Sequence, residues 1–153
     1  MGYGYGFTCE NCGERYDVEV GIGMLYPETY KEEYAKVASG ACGADRQELL
    51  RSNPYATIDA ENVVYICDNC NCWVQEVDYT VYEPKIVDEL REAPNGMACS
   101  GYSKSLYRVL KRYYRKCDRC GKRMRKASRE ELSHLPCPKC GTYNEADDAV
   151  LWD

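Results

Sequence analysis

Four Cys-x-x-Cys pairs constrain this chain more than any other feature. They are Cys9–Cys12, Cys67–Cys70, Cys117–Cys120 and Cys137–Cys140, and the residues that follow them are Gly13, Asn71, Gly121 and Gly141. Two thiols at this spacing grip one metal ion from a single tight turn, and two such turns complete a tetrahedral set of four thiolates. The residue after the second thiol of such a turn favours a positive φ, which Gly adopts freely and Asn better than most residues. All four positions meet that demand, which selects Cys67 with Cys70, rather than Cys70 with Cys72, as the second pair.

Sequential pairing predicts one site from Cys9, Cys12, Cys67 and Cys70, and a second from Cys117, Cys120, Cys137 and Cys140. Sixteen residues separate the third and fourth pairs, as in the C-x2-C-x15–20-C-x2-C zinc pattern. The first two pairs are separated by a 54-residue insertion. Sites assembled across the two halves are the alternative pairing. Four thiolates saturate a tetrahedral ion and leave no position for a catalytic water, so two structural Zn²⁺ are expected, with iron in one or both sites as the alternative.

The chain needs that metal. It carries fifteen Tyr but a single Phe, so a large dry core is not expected. The opening, Met1 to Phe7, has neither a basic segment nor an apolar one and does not read as a secretory signal. Eleven Cys without an export signal argue for metal ligation in the cytoplasm rather than disulfides. No apolar run is long enough to cross a membrane.

Outside the four pairs stand Cys42, Cys72 and Cys99, each read as a small half-buried side chain. Cys72 sits two residues beyond a ligand, where it could exchange with that ligand or act as a redox thiol. His134 is the only histidine and reads as a surface residue. No paired carboxylates or nucleophile–base set stand out, so no enzyme is predicted and no small-molecule substrate is evident. The glycine-rich stretches at 2–6 and 21–27 lack the strand-to-helix phosphate-loop context and read as turns.

Charge is segregated. Residues 1–100 hold seven Lys/Arg against eighteen Asp/Glu, residues 101–129 hold twelve against one, and residues 130–153 hold one against six. The basic band is Lys104, Arg108, Lys111, Arg112, Arg115, Lys116, Arg119, Lys122, Arg123, Arg125, Lys126 and Arg129, with Tyr102, Tyr107, Tyr113 and Tyr114 interleaved. Cations for phosphate and aromatics for bases make it a candidate nucleic-acid or anion surface. The competing reading is neutralisation, either by the acidic front or by the four-thiolate centres, each of which carries two net negative charges with a divalent ion.

Phe7-Thr-Cys-Glu-Asn-Cys-Gly13 and Cys137-Pro-Lys-Cys-Gly141 resemble rubredoxin knuckles, which implies an iron electron carrier as an alternative function. The same knuckles, with the Gly21-Ile-Gly-Met-Leu-Tyr-Pro27 loop and the Cys67/Cys70 pair, look like the small twin zinc-ribbon proteins of bacteria, clostridial ones among them. That resemblance implies two zinc ribbons and a cytoplasmic setting, and carries no activity of its own.

The expected fold is small, α+β and metal-stabilised, built from two zinc-ribbon β units. An N-terminal ribbon (1–83) carries a helical insertion at about 22–60. A helical linker (84–111) leads to a C-terminal ribbon (112–153). Strands are predicted at 15–20, 61–66, 73–82 and 149–152, with a short one at 123–126. Helices are predicted at 28–39, from a capping box at Asp45–Glu48, within 84–94, and from a Ser103 cap through Tyr113. Ser128–Glu131 is a further capping box, and the turn at Ala93–Met97 is the predicted domain boundary. The function expected is a non-catalytic zinc protein whose partner is a protein first and a nucleic acid second. A thiol-redox protein and an iron electron carrier are the alternatives.

Overall fold

The computed structural model describes residues 2–23, 26–85 and 104–152. The helix predicted within 84–94, the boundary at 93–97, Cys99 and the Ser103 cap lie outside the described residues. The chain divides into two units. One comprises residues 1–21, 62–76 and 114–153, the other 22–61 and 77–113. This differs from the sequential ribbon–linker–ribbon division, because strands far apart in sequence pair with one another.

In the first unit, strand β1 (Gly2–Thr8) forms a hairpin with β2 (Arg15–Val20). Its other edge pairs antiparallel with β11 (Asp148–Trp152), from Gly2 opposite Trp152 to Gly6 opposite Asp148. The Gly-Tyr-Gly-Tyr-Gly opening is therefore a strand rather than a turn. Its glycines allow close approach. A Cβ on Gly6 would fall 2.4 Å from Asp148 Oδ1, the atom that accepts the Gly6 N–H at 3.1 Å. A second sheet runs β5 (Cys72–Val77), β4 (Asn62–Cys67), β8 (Arg125–Lys126), with Tyr65 opposite Lys126. Strands β9 (His134–Pro136) and β10 (Tyr143–Glu145) make a hairpin. Phe7, Val18, Val64 and Leu135 fill the core between them, and the Phe7 ring stacks on Tyr16 at 4.8 Å.

The second unit holds two helices and a sheet. Helix α1 (Tyr26–Ala38) buries Tyr30 and Val37, a helical spacing legible in the sequence. It ends as predicted at Gly40, whose φ of 89° closes the helix while Ala41 N–H reaches Lys36 O and Gly40 N–H reaches Val37 O. Helix α2 (Ala44–Ser52) buries Leu50. Its predicted capping box does not form: Gly43 caps the helix, and Asp45 pairs with Lys111 at 2.9 Å instead. The sheet orders β3 (Thr57–Ile58), β6 (Val81–Pro84) and β7 (Tyr107–Lys111).

Two expectations fail here for physical reasons. The strand predicted over 73–82 breaks into β5 and β6 because the buried Asp78 carboxylate turns the chain, accepting the Thr80 N–H at 3.0 Å and hydroxyl at 2.7 Å. The helix predicted through Leu106, Val109, Leu110 and Tyr113 is a single 3₁₀ turn at Lys104–Leu106 followed by β7. Residues 107–111 favour strand as readily as helix, and the edge of β6 supplies hydrogen-bond partners that decide it.

Asp59, fully buried in this unit, receives Lys104 Nζ at 2.9 Å, and Lys104 also reaches Glu61 at 3.1 Å. Burial pushes the Asp59 carboxyl up to about 7, with the Glu61 and Asp78 charges adding and Lys104 opposing. The folded state therefore holds the Asp59 proton to a higher pH than the unfolded chain does. The Asp59 contribution to the stability of this unit falls as pH rises from about 4 towards 7 and changes no further above that. Carboxyl NMR of the folded protein should give Asp59 a midpoint near neutrality, and Asp59→Asn should flatten the pH dependence of amide exchange in α1 and β6.

Candidate metal centres

Each Cys-x-x-Cys pair sits on a tight turn, three of them at the tips of hairpins: β1–β2, β4–β5 and β9–β10. The third pair lies within the turn closed by the Lys116–Arg123 bridge. Three knuckles share one backbone pattern. The first Cys N–H donates to the carbonyl five residues on (Glu14, Lys122, Thr142), at 2.8 Å in each case. Its own carbonyl accepts the glycine N–H four residues on, at 2.8–2.9 Å. Gly13, Gly121 and Gly141 have φ of 72°, 70° and 80°, and Asn71 has 49°, so the sequence rule holds at all four positions.

The eight predicted cysteines are all gathered, but in a different combination. Cys9, Cys12, Cys137 and Cys140 form one group and Cys67, Cys70, Cys117 and Cys120 the other, with the ligand atoms of each group within 4.8 Å of one another. The sequential assignments of Cys9/Cys12 to Cys67/Cys70, and of Cys117/Cys120 to Cys137/Cys140, are therefore overturned. The first strand pairs with the last, which brings the first hairpin to the fourth knuckle. Strand β8, just after the third knuckle, pairs with β4, just before the second. The zinc-like spacing of the third and fourth pairs joins cysteines that belong to different groups.

The sulfur geometry fits a metal. Cys9–Cys140, Cys12–Cys137 and Cys67–Cys120 are separated by 3.5, 3.7 and 3.6 Å. A tetrahedral zinc thiolate with bonds of about 2.3 Å has edges of about 3.8 Å, whereas a disulfide needs about 2.05 Å. In each pair the first cysteine is buried and the second lies nearer solvent.

Electrostatics point the same way. Thr142, whose hydroxyl lies 3.4 Å from the Cys140 sulfur, lowers that thiol to about 5. Backbone N–H groups of Cys120 and Arg119 lower Cys117 to about 6 despite burial. The Glu14 backbone N–H favours the Cys12 thiolate too, yet burial and the neighbouring Cys9, Cys140 and Cys137 thiols push it up to about 12. Four clustered thiols cannot all ionise against each other, and a soft divalent cation removes that conflict.

Side chains around the ligands lock each group. Asn144 is buried and spans the first group: its Oδ1 accepts the Glu10 N–H at 3.1 Å, and its Nδ2 donates to Tyr16 Oη at 3.0 Å and Thr142 O at 2.8 Å. Tyr16 in turn donates to Leu135 O at 3.0 Å. At the second group Lys122 donates to Asn69 Oδ1 at 2.6 Å, and Arg125 pairs with Asp68 at 2.9 Å and Glu131 at 2.6 Å. The Ser128–Glu131 capping box forms as predicted, with bonds of 2.8 and 3.2 Å. Trp73, from the strand after the second knuckle, donates Nε1–H to Pro136 O beside the fourth at 2.8 Å. No sequence pattern marks Asn144 or Trp73, because both act through contacts across long stretches of chain.

Much of the basic band meets acids. Lys104 pairs with Asp59 and Glu61, Arg108 with Glu83, Lys111 with Asp45, Arg115 with Glu76 and Asp118, and Arg125 with Asp68 and Glu131. Arg123 stacks over Tyr114 at 3.4 Å and Arg129 over Tyr3 at 5.7 Å. Among the described residues Arg112, Lys116 and Arg119 have no ion pair, and Lys126 lies on β8. His134 is exposed, stacks on Tyr143 at 5.4 Å and belongs to neither thiol group. No described helix is long and apolar enough to cross a membrane.

No protein-family model matches the chain, and no curated protein or solved structure matches it.

Replacing Asn144 by Ala removes three hydrogen bonds, two of them to Glu10 and Tyr16 of the first hairpin, and leaves buried groups unpaired. The expected loss of stability is about 1–3 kcal/mol, read as a lower denaturant midpoint of the metal-loaded protein. Asn144→Ala should also release metal from the Cys9/Cys12/Cys137/Cys140 group at a lower chelator concentration than wild type.

Proposed function

We propose that the protein is a non-catalytic zinc protein whose two four-thiolate centres are structural, and that it serves as a binding module. The observation that supports this reading is the gathering of eight thiols into two closed sets of four. A saturated tetrahedral thiolate site suits zinc and gives it no open position for chemistry. Metal binding at such sites is folding free energy, on the order of 10 kcal/mol each. The metal-bearing unit has a small core, and its two centres join residue 9 to residue 140 and residue 67 to residue 120.

A protein partner is favoured over nucleic acid because five cations of the predicted band, Lys104, Arg108, Lys111, Arg115 and Arg125, are held by acids of the same chain. A phosphate surface depends on cations free to displace counterions. A cytoplasmic setting, where thiols stay reduced, would keep the eight ligand thiols available to metal.

Elemental analysis with a visible spectrum of the same sample tests the metal reading. Two zinc per chain and no colour are expected. Iron with thiolate charge-transfer bands would make the chain a rubredoxin-like electron carrier instead. A mobility shift with mixed RNA that weakens steeply with salt would move the partner from protein to nucleic acid. Chelation should melt the first unit and red-shift the emission of Trp73, while α1 and α2, which pack on the separate core of Val37, Ile58 and Val81, keep their helical signal.

A further inference from the structure

The second thiol group has a neighbour that four-coordinate metal does not require. Cys72, on β5, places its sulfur 3.7 Å from Cys117 Sγ, the same separation as between ligand sulfurs in the first group. Among the described residues no fifth cysteine sulfur contacts the first group. Cys72 is half-buried, and with Cys70 it lines a cavity of about 280 Å³ that Trp73, Arg119 and the first group's Cys137 and Cys140 also border.

The second knuckle is also the irregular one. Cys70 N–H bonds to Cys67 O at 3.2 Å, and Asn71 stands at φ 49° where the other three knuckles have glycine. A non-glycine residue held in this region carries conformational strain. Cys67 and Cys117 are fully buried, whereas Cys70 is the ligand of this knuckle that faces the cavity. Asn71, between Cys70 and Cys72, thus carries strain that glycine avoids in the other three knuckles.

We propose that the second centre is a ligand-exchange site with five thiols for four positions, in which Cys72 substitutes for Cys70. The exchange is balanced within the protein. The Cys72 sulfur bonds to the metal, the metal–Cys70 bond breaks, and the Cys72 proton passes to the departing Cys70 sulfur. The ion stays four-coordinate before and after, and no external reagent is consumed. The cavity reaches ligands of both centres, so the difference lies in the fifth thiol: with Cys72 beside Cys117, the bond to Cys70 can open to an incoming thiol or chelator, and this centre gives up its ion faster than the first. The proposal rests on the metal-binding reading.

Metal content after gel filtration tests it, with the zinc-loaded full chain and its variants. Cys12→Ser, at the first centre, should hold one zinc instead of two. Cys70→Ser should still hold two, with Cys72 supplying the fourth thiolate, and the double variant Cys70→Ser/Cys72→Ser should hold one. Cys70→Ser holding a single zinc, as Cys12→Ser does, would overturn the proposal. A second measurement keeps all four ligands of both centres. Zinc transfer to a colorimetric chelator should be biphasic in wild type, and Cys72→Ser should slow its faster phase at least fivefold. An unchanged faster phase in that variant would also overturn the proposal. Wild type that binds no metal would instead defeat the metal-binding reading itself.

Discussion

The antiparallel pairing of β1 with β11 is the interaction on which the metal-bearing unit depends. It joins the first strand of the described chain to the last, residue by residue from Gly2–Trp152 to Gly6–Asp148. Once that ladder is in place, the β1–β2 hairpin carries Cys9 and Cys12 to the side of Cys137 and Cys140. Tyr16 and Asn144 then fix the two knuckles against each other with buried hydrogen bonds. Closing a loop this long costs chain entropy that grows only slowly with length, so a strand ladder and a metal centre together offset it.

The second centre nests inside the first in sequence. Strands β4 and β8 flank its knuckles and pair, with Ile66 opposite Arg125, and the Arg125 guanidinium ties Asp68 to Glu131. These exposed ion pairs contribute little individually. Their effect is local: they tie the strand after the third knuckle to the turn of the second and to the Ser128–Glu131 box. The basic band thus serves both units, through Arg115 and Arg125 in one and Lys104, Arg108 and Lys111 in the other. Segregated charge along the sequence becomes paired charge in the fold.

Local chemistry was legible in the sequence, and long-range pairing was not. The knuckles, their positive-φ residues, α1 with its Gly40 stop, β2, β4, β11 and the Ser128–Glu131 box are all marked by residue patterns within a few positions, even where the strands' partners are distant. The partition of the eight cysteines depends on which strands meet, and two-residue spacing carries no information about that. Asn144 reads as an ordinary polar residue between two turns, yet it is buried at the first centre. Asp78 hides in an alternating run and bends it. Residues 107–111 could satisfy either helix or strand until β6 offered its edge.

The central claim is the nested partition of the thiols, and cadmium-113 NMR tests it most directly. Scalar couplings from each bound cadmium ion to cysteine Hβ protons identify its four ligands. The fold predicts one cadmium coupled to Cys9, Cys12, Cys137 and Cys140, and the other coupled to Cys67, Cys117 and Cys120 with Cys70 or Cys72. A cadmium coupled to both Cys9 and Cys67, or to both Cys117 and Cys137, would contradict it.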